Sequence, residues 1–150
     1  MMLDKLEVER LLPHSGQMVF IDRVLEHDDV SIVTEVDVDS LEVLVSERGV
    51  PAYVGIELMA QSIAAWSGLV RKSRNKPPQP GFLLGTRKYE CEVSFFPRGS
   101  TLRIYAEEII NNEGLATFGC RLHYIADTCD GDLVAEARIS VYSEQEENVD

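Results

Sequence analysis

Two residues inside an otherwise apolar stretch carry the first chemical signal. In Val50–Val70, VPAYVGIELMAQSIAAWSGLV, Glu57 is the one charged side chain, and Gln61 follows four residues later. Four residues is one helical turn, so the amide stands where it can orient the carboxyl or a water. Desolvation on an apolar helix favours the neutral, proton-donating form of a carboxyl, which suits general acid catalysis. A plainer reading pairs a buried Glu57 with an arginine such as Arg23 or Arg87, and the residues alone leave both open. Candidate bases are few, because the chain has three histidines. His27 falls in the acidic turn EHDD and His123 lies between Leu122 and Tyr124, where solvated or structural roles suffice. His14, in LLPHSGQ, is the best candidate for a reacting imidazole, against the alternative of a loop histidine that caps or anchors the first helix. Tyr53, one turn before Glu57, and Gly55, whose missing side chain permits close approach of a substrate, are candidate binding positions. Cys91, Cys120 and Cys129 show no paired spacing and no histidine at metal-ligand distance. No metal is therefore expected, and the sparse thiols suit a reducing cytoplasm.

The elements that must hold these residues follow from the apolar pattern. A helix over about 52–72 places Ile56, Met59, Ile63, Trp66 and Val70 on one stripe and Leu58, Ala65 and Leu69 on another. Such a helix is covered on more than one side, and Glu57, Gln61, Ala64 and Gly68 form its remaining face. Pro51 fits the first helical turn. The stretch is long enough to cross a bilayer, but Glu57, Gln61 and two serines within it make a poor span, so no membrane role is expected. Before it, Leu3–Leu12 reads as a short N-terminal helix stopped by Pro13, Met18–Leu25 as a strand, and Ser31–Val38 as a strand with Ile32, Thr34, Val36 and Val38 on one face. After it, a loop over 75–81 leads to strands at Phe82–Val93, Thr101–Ile110, Ala116–Ala126 and Leu133–Tyr142, separated by turn residues such as Asp130-Gly131. An acidic tail occupies 144–150. The order predicts an α+β fold in one domain over 1–150, an antiparallel sheet of about six strands wrapped around one long central helix. That is the hotdog arrangement, whose open sheet edges favour a dimer.

Charge narrows the partners. Fourteen basic against 26 acidic residues give a net charge of −12, which argues against nucleic acid. Between Arg71 and Arg103, however, eight basic residues face two acidic ones. Arg71, Lys72 and Arg74 at the helix end read either as solubilising charge or as a docking patch for an anionic partner.

Four stretches, LLPHSGQMVFIDRV (11–24), VPAYVGIELMAQ (50–61), GFLLGTRKYE (81–90) and SFFPRGSTL (94–102), together resemble the bacterial 3-hydroxyacyl-[acyl-carrier-protein] dehydratases of the hotdog superfamily. The chain looks most similar to the divergent dehydratase-like proteins of aryl polyene pathways. The resemblance implies removal of water from a 3-hydroxyacyl thioester to give a 2-enoyl thioester. It also implies an acyl carrier protein as partner, no cofactor beyond the carrier's phosphopantetheine arm, and a homodimer or a heterodimer with another hotdog dehydratase. Glu57 matches the family's helix carboxylate, which the partner subunit contributes to a shared site. The family's usual catalytic histidine precedes the helix in a His-Phe-Pro-Gly run, whereas LEVLVSERGVPAYVG here has no histidine. The family also carries a histidine in the motif of His14, with a role other than the usual catalytic one. In such chemistry, backbone N–H groups near Val54–Ile56 would stabilise the thioester oxygen. Two alternatives stand beside a catalytic subunit: a non-catalytic scaffold partner of another dehydratase, and an acyl thioesterase in which the helix carboxylate activates water.

Overall fold

The computed structural model describes residues 2–77, 82–127 and 129–142. Helix α1 (Lys5–Glu9) opens on a capping box, in which Asp4 accepts from the Glu7 N–H and the Glu7 side chain reaches back to the Asp4 N–H. Strands β1 (Arg23–His27) and β2 (Ser31–Asp37) follow, then the two-residue β3 (Val50–Pro51) and the long helix α2 (Val54–Ser73). The remainder is β4 (Phe82–Cys91), the two-residue β5 (Phe95–Phe96), β6 (Thr101–Asn112), β7 (Leu115–Ala126) and β8 (Cys129–Tyr142). Six strands form one antiparallel sheet in the order β1-β2-β6-β7-β8-β4, while β3 pairs with β5 alone. Helix α2 crosses one face of this sheet, and the α+β hotdog fold is as the pattern predicts. The acidic tail at 144–150 lies outside the described residues.

The register explains what the helix touches. Thr34, Ile104, Leu122 and Ala135 stand opposite one another across β2, β6, β7 and β8, and all four are buried beneath α2. Ser62 on the helix meets Thr34 with their hydroxyls 2.8 Å apart and donates onward to the Leu58 carbonyl, so this buried polar pair is satisfied. Trp66 packs edge-on to Phe118 with ring centres 5.5 Å apart and donates its indole N–H to the Asp28 carbonyl.

Several expectations need correction. The first strand starts at Arg23 instead of Met18, because side chains take up the backbone groups of the preceding residues. Lys5 Nζ donates to the Val19 and Ile21 carbonyls, and Gln61 bonds both Met18 and Phe20. Pro51 belongs to β3, paired with Phe95, and Tyr53 is the helix N-cap. The second face of β2 is also covered. Glu35 is only 8% exposed there, held by Arg23 Nε at 3.2 Å and by Arg103 at 2.7 Å. Arg23 is thus spent on Glu35 and Asp37 and does not reach Glu57.

Candidate active site on the central helix

Gln61 is the hub of the site. It is fully buried and makes three hydrogen bonds: its Oε1 accepts from the Phe20 N–H at 2.8 Å, and its Nε2 donates to the Met18 carbonyl at 2.6 Å and to Glu57 Oε1 at 3.2 Å. One side chain therefore ties the carboxyl of Glu57 to the segment that carries His14. The other end of that segment is anchored at Leu11, whose backbone carbonyl lies against Gly68 with no room for a Cβ. Between these two anchors the chain runs along α2 and brings His14 Nε2 to 3.8 Å from Glu57 Oε1. The separation exceeds a hydrogen bond, so neither group is consumed by the other. His14 Nδ1 is buried and has no hydrogen-bond partner among the described residues. It caps nothing, since Asp4 fills that role for α1.

His14 and Glu57 open onto a cleft of about 210 Å³ beside the helix. Its walls are mainly apolar or small, among them Ala60, Ala64, Phe118 and Val141, with Gln61 and Ser67 on the helix side. The Glu57 side chain is 41% exposed and that of His14 is 32%. The dry surroundings expected of Glu57 on an apolar helix are therefore not supplied by this chain alone.

Tyr53 is 70% exposed at the helix start, one turn before Glu57. Gly55 has a reason different from the one expected. A Cβ there would run into the Tyr89 hydroxyl and the Phe96 ring, so the close approach is made by this chain's own side chains. Tyr89 donates to the Ala52 carbonyl and pins the start of α2, and burial pushes its hydroxyl pKa up, keeping the donor protonated. The N–H groups of Gly55 and Ile56 bond Ala52 and Tyr53, so they are not free to hold a thioester oxygen. Arg71, Lys72 and Arg74 end the helix, 14 residues and more beyond Glu57, or at least about 21 Å along its axis. Arg71 donates to the Pro77 carbonyl, while Lys72 and Arg74 are exposed. His27 is exposed, and His123 bonds the Gly131 carbonyl on the sheet face away from α2. Among the described residues no group of acidic, histidine or cysteine side chains could hold a metal, and no helix is long and apolar enough to cross a membrane.

Two residues of the cleft escaped sequence reasoning, Glu108 and Asn111 on β6. A signal existed. Alternation places Glu108 on the same strand face as the buried Leu102, Ile104 and Ala106, an unusual side for a carboxylate.

Fold and site together define a hotdog protein with a carboxyl and an imidazole converging on its central helix. The chain belongs to the ApeP-like family of dehydratases, which matches residues 6–149, and is thus a dehydratase or a dehydratase-like subunit. Its structure is similar to one in the ApeI:P dehydratase heterocomplex of Xenorhabdus doucetiae, with 30% identity, a TM-score of 0.83 and coverage of 93% of this chain and 91% of that one. A thioesterase of Staphylococcus aureus (12% identity, TM-score 0.61, 81% and 92% covered) shares the fold. So does the PaaI protein of Escherichia coli (13% identity, TM-score 0.59, 79% and 80% covered). No curated protein matches the sequence.

Proposed function

We propose that this chain is a subunit that removes water from 3-hydroxyacyl thioesters carried on acyl carrier protein, yielding the 2-enoyl thioester. The observation that carries this reading is the approach of His14 Nε2 to Glu57 Oε1 at 3.8 Å over an apolar cleft. Neutral His14 takes the proton from C2, the C3–O bond breaks, and the Glu57 carboxyl gives its proton to the departing hydroxyl, which leaves as water. Gln61 holds the carboxyl for that transfer. A second hotdog subunit completes the site. The exposure of Met18 (56%) and Tyr53 beside an open Glu57 supports this, as does the similarity to a dehydratase heterocomplex. The carrier, an acidic protein, docks on Arg71, Lys72 and Arg74 and supplies the substrate on its pantetheine arm in the cytoplasm, with no further cofactor.

The test is incubation of a 3-hydroxyacyl carrier with the chain alone and mixed with candidate hotdog partners, following enoyl product and free thiol. Dehydration that falls at least 100-fold in both Glu57→Gln and His14→Ala supports the assignment. Thiol release without enoyl product means a thioesterase instead. A scaffold subunit is the second reading, favoured by the lack of a histidine in the loop before α2. It predicts a mixture whose activity survives both substitutions. Salt-sensitive carrier binding, lost on charge reversal of Arg71, Lys72 and Arg74, checks the docking patch.

A further inference from the structure

The face of the sheet away from α2 carries charges left unmatched among the described residues. Phe118 of β7 packs on Trp66 of the helix, so alternation turns Thr117, Gly119 and Arg121 to the outer face. Across that face Glu107, Gly119, Arg138 and Arg87 stand opposite one another on β6, β7, β8 and β4. Arg87 and Arg138 thus sit side by side as like charges, which is unfavourable. None of Glu107, Arg87 and Arg138 makes an ion pair among the described residues. A β-bulge adds an apolar patch at one end of the same face. Glu108 pairs with Phe118 but Ile110 with Thr117, which leaves Ile109 as the extra residue. Ile109 reaches over Gly119, so it and Ile110 both lie on the outer side. Leu115 and Tyr142, opposite one another on β7 and β8, extend the patch. All four side chains are at least 38% exposed. Contiguous exposed apolar surface of this kind marks a contact surface.

We propose that this outer face is an interface between two copies of this chain, packed sheet to sheet about a two-fold axis along β7. Rotation about β7 lays the β6 side of one copy over the β8 side of the other. Glu107 of each copy then meets Arg138 of the other across Gly119, twice by symmetry. Arg121 leans over the Tyr105 ring at 4.7 Å, towards β6, and so meets Glu136 on the opposing β8. The Ile109 and Ile110 patch meets Tyr142 in the same way. Charge favours this occupant over an acidic carrier. The broad depression around Gly119 is lined by four acidic and four basic side chains. That balance gives a strongly acidic partner no net attraction, but it lets the face complement itself. The contact is independent of the acyl site. It lies across the sheet from α2 and leaves the Glu57 side free for another hotdog subunit.

The test counts copies of this chain per particle, using the full-length chain as it purifies, alone or bound to a hotdog partner. Light scattering after size exclusion and sedimentation velocity give the count, and thermal melting checks folding. Wild type is expected to hold two copies of this chain, or a multiple of two. Arg138→Glu brings like charges together at both symmetric contacts. It is expected to halve the count and to weaken self-association at least about 100-fold. Ile110→Lys is expected to halve the count as well. The double variant Glu107→Arg/Arg138→Glu exchanges the signs within each contact and is expected to restore the wild-type count, which a mere folding defect would not do. One copy per wild-type particle overturns the proposal. A count that survives both Arg138→Glu and Ile110→Lys overturns it too, because the copies then meet through another face. Where one single variant fails to fold, the other carries the test.

Discussion

Gln61 shows how one side chain serves stability and chemistry together. Replacing it with Ala leaves the buried Phe20 N–H without a partner and frees Glu57, so Gln61→Ala is expected to cost about 1–3 kcal/mol of stability. Glu57→Gln, at an exposed carboxyl, should leave stability within about 0.5 kcal/mol. Denaturant unfolding of the two variants checks the contrast. Glu35 makes the complementary case on the other face of the sheet. Its removal leaves Arg23 and Arg103 facing each other with no shared anion, and Glu35→Ala is expected to destabilise by about 2–3 kcal/mol. The value stays below that of a dry ion pair because Arg23 remains partly exposed. Hydrogen bonding by Arg23 also holds the Asp37 carboxyl below its ordinary value of 3.8. The folded form thus binds this proton less readily than the unfolded one. The resulting stability is complete above pH 3.8 and is lost as pH falls through the lower folded value. Asp37→Asn should therefore flatten the acid limb of a stability–pH profile below that pH.

At the scale of elements, α2 is set by two glycines whose neighbours differ in kind. A Cβ at Gly55 meets the end of the Tyr89 side chain, whereas one at Gly68 meets the backbone of Leu11. A side-chain tip can move and a backbone carbonyl held in a packed segment cannot. Gly68→Ala is accordingly expected to destabilise by about 1–3 kcal/mol and more than Gly55→Ala. Removing the hydroxyl that Gly55→Ala collides with, in Tyr89→Phe, should make the double variant less damaged than the sum of the two singles, as a double-mutant cycle by thermal melting would read. The sequence reading of these elements erred where backbone partners were unseen. Met18–Phe20 has the composition of a strand, yet Gln61, 41 residues beyond Phe20, and Lys5 take its hydrogen bonds. Gly55 was legible as a glycine with a reason, but the reason sits on β4.

At the scale of the whole molecule, β4 is a ten-residue strand at one edge of the sheet, paired on one side to β8. Long edge strands invite pairing. The open Glu57 and the exposed Met18 and Tyr53 likewise leave the surface around the site unfinished in the single chain. If a second hotdog subunit covers this region, amides of β4 should exchange slowly in the complex and faster after dilution, a difference that hydrogen-exchange measurements read directly.

The sequence by itself determined the layers. An apolar helix with one carboxyl, flanked by alternating segments and turn residues, has few ways to bury its sides other than inside an antiparallel sheet, and local periodicity carries that information. It also singled out Glu57 and Gln61, because polar groups in apolar surroundings are costly enough to stand out by type alone, and His14 as the best placed of three histidines. Tertiary structure alone decided that His14 and Glu57 meet, that Gln61 and the contact at Gly68 hold them there, and that Glu108 and Asn111 line the same cleft. Apart from the Gln61–Glu57 bond, one helical turn long and legible from spacing, those relations join residues more than 40 positions apart in the chain, and no spacing along a sequence encodes a distance that only packing creates.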